Sequence, residues 1–178
     1  SALSELPIYF DDRSRTSFSS VCASIKKMVR KYGVRIVFID YLQIMANNEK
    51  DNREQLIGDM ARDLKRIAVD EDICVVALSQ LSRNKDQKKP TISRLRGSGQ
   101  IEEACDIAVL IYRPEVYGIK TYDNNLPTAG TAQLIIGKGR NIGIGEEIVT
   151  FNAGLSFFQD YQGEQPAEKD NSMPWYKK

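Results

Sequence analysis

Two short apolar runs constrain this chain more than anything else in it. Ile36-Val-Phe-Ile leads into Asp40-Tyr-Leu-Gln43, and Cys74-Val-Val-Ala-Leu-Ser leads into Gln80-Leu-Ser-Arg83. Four or five apolar residues in a row, without alternation, are the pattern of an interior strand in a parallel sheet. Such a strand offers its ligand-facing groups just past its carboxyl end, where an open α/β sheet has its crevice. Here a carboxylate holds that place in one run and an amide in the other.

Helical periodicity separates the strands. Phe18, Val21, Cys22, Ile25, Met28, Val29 and Tyr32 recur at helical spacing, with Ser17 as cap and Gly33 as stop. Leu56, Ile57, Met60, Ala61, Leu64, Ile67 and Ala68 make a second amphipathic helix, and a short helix is expected at residues 100–104. Strands are expected at residues 6–10, 36–39, 73–78 and 107–112, and residues 47–53 read as a loop. Strand alternating with helix implies an α/β fold, a parallel sheet flanked by helices with right-handed crossovers. Beyond Tyr112 the pattern changes to residues 131–136, 147–151 and 155–161, separated by glycine-containing turns. These predict antiparallel strands at the C-terminal edge. One domain over residues 1–161 and a disordered polar tail over 162–178 complete the expected organisation.

Composition narrows the chemistry. With 25 cations, 24 acids and a net charge of +1, a nucleic-acid footprint has to come from local clustering. Cys22, Cys74 and Cys105 are odd in number and lie in apolar or helical patterns, as expected of buried thiols in a reducing compartment. Without histidine or a C-x-x-C pair, zinc is not expected. No apolar run approaches the roughly 20 residues of a membrane span, and no signal-peptide pattern opens the chain, so a cytoplasmic location and no membrane partner are expected.

Asp40 admits two readings: a strand-end cap, or the carboxylate from which nucleoside-triphosphate motors hold magnesium. Gln80 favours the second, because adjacent parallel strands end side by side and an amide there can bond a terminal phosphate or orient water. Lys138 and Arg140, in Ile135-Ile-Gly-Lys-Gly-Arg140, sit two apart on a strand and share a face. They are either a solvated basic edge or a pair reaching into a neighbouring molecule. Residues 83–96 carry six cations, Arg83, Lys85, Lys88, Lys89, Arg94 and Arg96, against one acid. That density fits a phosphate backbone, and Gly97 and Gly99 would let backbone amides come close to phosphates. Lys26, Lys27, Arg30 and Lys31 lie opposite an apolar stripe and read as a solvated helix face. No G-x-x-x-x-G-K-[ST] occurs, so no phosphate cradle is encoded.

Five segments, taken together and in order, resemble the C-terminal motor domain of DnaB-type replicative helicases, which belong to the RecA-like ATPases. They are Leu6-Pro-Ile-Tyr-Phe-Asp-Asp12, Val37-Phe-Ile-Asp-Tyr-Leu-Gln43, Ala77-Leu-Ser-Gln-Leu-Ser-Arg83, Leu95-Arg-Gly-Ser-Gly-Gln-Ile-Glu-Glu-Ala-Cys-Asp106 and Lys138-Gly-Arg-Asn141. The resemblance implies a RecA-like P-loop NTPase core. Asp40 becomes the magnesium-holding Walker B carboxylate and Gln80 the sensor, both bound to ATP. Lys138 and Arg140 become the pair that enters the next subunit's site, Arg140 as arginine finger. It also implies that Arg96–Gly99 is the loop that touches single-stranded DNA; with the basic run before it, Lys88, Lys89, Arg94, Arg96, Gly97, Ser98 and Gly99 are the expected DNA-binding residues. Where the family reads R-E-S-G this chain has Gly97, and where it often has Gln between the two cations this chain has Gly139, a change expected to loosen the strand end. The family's Walker A loop, catalytic glutamate and collar domain precede the first of these segments. The 178 residues are therefore expected to be the carboxyl-terminal part of a motor domain, inactive alone. The implied parent is a homo-hexamer that unwinds duplex DNA 5′ to 3′ with ATP and Mg2+, with primase and a helicase loader as partners. Two alternatives are another RecA-like recombination or circadian-type ATPase, and a non-enzymatic remnant that binds DNA or a helicase.

Overall fold

The computed structural model describes residues 5–13, 17–46, 53–82, 89–95 and 98–163, with the backbone alone at Ser98. They fall into two compact units, Ser1–Gln80 and Leu81–Lys178.

In the first unit, α1 (Phe18–Tyr32) starts where Ser17 Oγ accepts the Ser20 N–H at 3.3 Å. It ends where Gly33 turns to φ 67° and its N–H reaches Val29 O at 2.9 Å. These are the two caps expected from sequence, and a cap of the Ser17 kind contributes about 1 kcal/mol. β1 (Ile36–Ile39) leads into a single turn, α2 (Leu42–Met45), which the apolar pattern did not foresee. Then α3 (Arg53–Asp70) buries Ile57, Gly58, Met60, Leu64 and Ile67 along one face. β2 (Cys74–Ala77) pairs parallel with β1 in the register Ile36↔Cys74 to Ile39↔Ala77. One face of this pair stays open, with Ile36 56% and Phe38 71% exposed.

The second unit begins at Leu81 and contains α4 (Ser98–Ala104). Its sheet is antiparallel, in the order β3 (Ile107–Tyr112), β4 (Thr131–Gly139), β5 (Gly145–Asn152), β6 (Phe157–Asp160). β3 alternates strictly: Ala108, Leu110 and Tyr112 are buried, while Ile107, Val109 and Ile111 are exposed. Leu110, Tyr112 and Ile135 form one buried cluster, against which Leu81, Leu95 and Ile119 pack. Before β4 the chain is held by polar contacts. Glu115 takes Arg113 Nη2 at 2.5 Å and the Gly130 N–H at 3.0 Å, and the Arg113 guanidinium lies 4.2 Å from the Phe151 ring centre.

Three expectations change. Residues 7–10 are not a strand; Ile8 and Phe10 are 52% and 86% exposed, with no described partner strand to pair them. β3 joins the antiparallel sheet, because its alternating burial fits one covered face, and not the parallel pair. Cys74 is exposed, since it shares the open face with Ile36; all three cysteines are free thiols. Of the loop expected at 47–53, Arg53 instead opens α3 and the rest lies outside the described residues, as does the tail from 164. Among those described, no helix is long and apolar enough to cross a membrane.

Candidate nucleotide and nucleic-acid sites

Asp40 follows β1 directly and is exposed, and its peptide bond to Tyr41 is cis. Its carboxylate has no hydrogen-bond or ion-pair partner among the described residues. The parallel ladder continues just past the strands, with Leu78 N–H donating to Ile39 O at 2.9 Å and Leu42 N–H to Leu78 O at 3.1 Å. There the first strand turns away into α2, and residues 79 and 80 have no backbone partner among the described residues. The side chain of Gln43 takes its place. Gln43 Oε1 accepts the Gln80 N–H at 3.1 Å, and Nε2 donates to Ser79 Oγ at 2.9 Å and, at 3.5 Å, to Gln80 O. Gln43 is only 1% exposed, and Arg53 Nη2 holds its own carbonyl at 3.1 Å. The ends of β1 and β2 are thus stitched side by side, with Asp40 and Gln80 both exposed.

The donor set around Asp40 suits one metal class. Among the described residues no three His, Cys, Asp or Glu side chains gather. A single unengaged carboxylate fits Mg2+, which keeps several waters and takes one or two carboxylates together with substrate phosphates.

In the second unit, β4 bulges at Gly137 as the pairing steps from Val109↔Ile136 to Ala108↔Lys138. Bulges re-aim the side chains beside them. Lys138 Nζ donates to Glu102 O, Arg140 Nη2 to Glu103 O at 3.4 Å, and Arg140 Nη1 lies 3.3 Å from Asp106 Oδ1. Both cations therefore gather where the last turn of α4 leaves its carbonyls without helical partners and the helix dipole is negative. Both reach the same helix end, although Arg140 lies in the turn past β4 and not on the strand itself. Burial pushes the neighbouring Cys105 thiol up, with Lys138 opposing.

Gly139 does the reverse of loosening this strand end. The Gly143 N–H closes the turn onto Gly139 O at 3.1 Å, and a Cβ at 139 would strike the carbonyl oxygen of Gly143 and the Ile142 side chain. The turn is tight because residue 139 has no side chain.

Of the basic segment, Arg83, Lys85, Lys88, Arg96 and Gly97 lie outside the described residues, and Ser98 is described only as the start of α4. Lys89 pairs with Glu146 at 2.8 Å, and Arg94 Nη2 donates to Ser82 O at 3.0 Å. Gly99 is exposed, with nothing within 4 Å of where its Cβ would stand. Of the solvated helix face, Lys27, Arg30 and Lys31 are exposed as expected, and Arg30 pairs with Glu71 at 3.4 Å.

Sequence reasoning picked out the charged and polar ends but not what holds them. Gln43 carried one signal, a glutamine buried within an otherwise apolar turn. Asp106 and the α4 carbonyls carried none.

The family model for the DnaB-like helicase C-terminal domain matches residues 1–160. The replicative DNA helicase DnaB of Buchnera aphidicola (subspecies Acyrthosiphon pisum) is 37% identical over 163 residues, 89% of this chain and 34% of that protein. The chain thus spans about a third of the length of that relative. A solved DnaB-like replicative helicase, described together with its interactions with primase, superposes with a TM-score of 0.70 at 34% identity. That match covers 83% of this chain and 36% of the other. A KaiC-like protein of Pyrococcus horikoshii shares the fold at 14% identity and a TM-score of 0.54, covering 81% of this chain and 56% of the other.

Proposed function

The chain belongs to the family of DnaB-like helicase C-terminal domains, and we propose that it is part of the ATP-driven motor of a hexameric replicative DNA helicase. The observation that supports this reading is the stitched end of β1 and β2, past which Asp40 and Gln80 are both exposed. Asp40 would hold Mg2+, and the ion, when bound with ATP, draws off phosphate charge. Gln80 meets the terminal phosphate or the attacking water through its amide. Lys138 and Arg140 leave the α4 carbonyls to enter a neighbouring subunit's site, Lys138 as a point charge and Arg140 as a planar fork.

Single-stranded DNA is bound by Lys88, Lys89, Arg94, Arg96, Gly97, Ser98 and Gly99, mainly through phosphates and without strong sequence preference. The two described cations of that set are already engaged within their unit, so DNA binding has to replace those contacts. The phosphate cradle comes from polypeptide outside these 178 residues, which by themselves do not turn ATP over. Primase and a loader act on the assembled ring, in the cytoplasm. The identities of 37% and 34% to DnaB-type helicases, against 14% to the KaiC-like protein, favour this reading over a circadian-type ATPase.

The test is ATP-dependent unwinding of a forked duplex by the full-length protein that carries this sequence. Asp40→Ala is expected to bring ATP turnover and unwinding down to background while the ring persists in light scattering. Turnover that survives Asp40→Ala overturns the assignment.

A further inference from the structure

We propose that Gln43 is a positioning residue for Gln80, acting through the backbone and not on the nucleotide. This rests on the sensor reading of Gln80 given above. The physical reason lies in the ladder. A residue in a parallel sheet keeps its place by backbone hydrogen bonds to its neighbour, and at Gln80 that neighbour has already left for α2. A glutamine side chain ends in a group chemically equivalent to a peptide unit. Gln43 presents this group to residue 80 as a strand would, accepting from its N–H at 3.1 Å and facing its carbonyl at 3.5 Å. The Ser79 hydroxyl at 2.9 Å fixes the third direction, so the amide has one orientation that satisfies all three partners.

Gln43 has no route to a ligand of its own, being 1% exposed. What it controls is where the exposed residue next to it begins. Gln43 lies three residues past Asp40 on the turn that leaves β1, and from there its amide pins residue 80. A shift of the order of 1 Å in a reacting group lowers rate by about 10²-fold. A hydrogen-bonded clamp at the root of Gln80 therefore governs turnover more than affinity.

The experiment is a double-mutant cycle on steady-state ATP hydrolysis in the full-length protein, with Gln43→Met, Gln80→Ala and both together. Methionine keeps the length and unbranched shape of glutamine but offers no amide. Gln43→Met is expected to lower kcat by about 10²-fold and leave KM for ATP within roughly twofold of the parent. The double variant is expected to be no slower than Gln80→Ala alone, because Gln43 acts only through Gln80. A merely structural role would instead multiply the two losses, and that result overturns the proposal, as does a normal kcat for Gln43→Met. If Gln43→Met fails to fold, Gln43→Glu replaces it in the cycle. It keeps an acceptor for the Gln80 N–H and loses the donor toward Gln80 O, and the same non-additivity is expected. Unchanged turnover in Gln80→Ala overturns the sensor assignment itself, and the Gln43 proposal with it. The Gln80 single variant thus tells failure of the sensor assignment apart from failure of the clamp.

Discussion

The two units present their polar groups by opposite means. In the first, Asp40 and Gln80 stand exposed at the ends of parallel strands, and the stitching is done by a third residue, Gln43, hidden behind them. In the second, Lys138 and Arg140 are themselves the stitches, tied to the carbonyls of α4 and to Asp106. A group that stands ready costs the fold nothing to use. A group that is also a helix cap has to be released, and whatever it meets must replace what it leaves. If both sets serve one reaction, the first unit is built for constant readiness and the second for conditional engagement.

The strongest challenge to this contrast is Arg140→Ala in the full-length protein. An arginine finger contributes at least about 10³-fold to turnover. Its ion pair with Asp106 is half exposed, at 52% and 49%, so as a mere cap it contributes at most about 1 kcal/mol to stability. We expect turnover to fall by at least roughly 10³-fold with the ring intact in light scattering. Mixed rings of Arg140→Ala and Asp40→Ala subunits should keep a small activity, from interfaces where an intact Asp40 meets an intact Arg140. Near-normal turnover in Arg140→Ala would make the pair a helix cap and nothing more.

Gly139 sets how firmly that pair is held. Because a Cβ there would strike the Gly143 carbonyl as well as the Ile142 side chain, Gly139→Ala forces the turn at 139–143 to move. Overpacking of this kind costs about 1–3 kcal/mol. A thermal melt should show a drop of roughly 4–8 °C for each kcal/mol in a unit of this size. An unchanged melting temperature would mean that the turn yields freely, and that the cations are not rigidly presented.

The same contrast explains what the sequence could disclose. Strand-end Asp40 and Gln80 were legible because the apolar runs of β1 and β2 lead up to them, even though one face of that pair is open. Ser17 and Gly33 were legible because a helix end needs an oxygen acceptor at one terminus and a left-handed residue at the other. Residues 6–10 look like a strand, but apolar character alone supplies no pairing partner. The role of β3 was misjudged because Ile107 to Tyr112 is apolar at every position, which hides the alternation that burial reveals. The docking of Lys138 and Arg140 on α4 depends on a contact about 37 residues away in the chain, and no local pattern records it. Gly139 was read by comparison with the family's usual residue, which says nothing of the carbonyl that stands in its way.

Glu115 provides the finest test of how the second unit is held, because its charge serves the fold and no proposed chemistry. Arg113 foremost, then the Gly130 N–H, hold its carboxyl below the usual carboxylate range. A carboxylate whose folded pKa is depressed stabilises the fold above its unfolded pKa, and that contribution disappears as pH falls through the folded value. At neutral pH it is therefore fully present. With side chains 29% and 31% exposed, the pair contributes no more than about 1 kcal/mol. Glu115→Gln should melt a few degrees below the parent at neutral pH, with the gap steady down to the ordinary glutamate value of 4.5. Below that the two melting curves should converge, since the parent then loses by protonation what the variant lacks by substitution. A gap that stays constant into acid would show that Glu115 acts through its shape and its bond to Gly130, not through its charge.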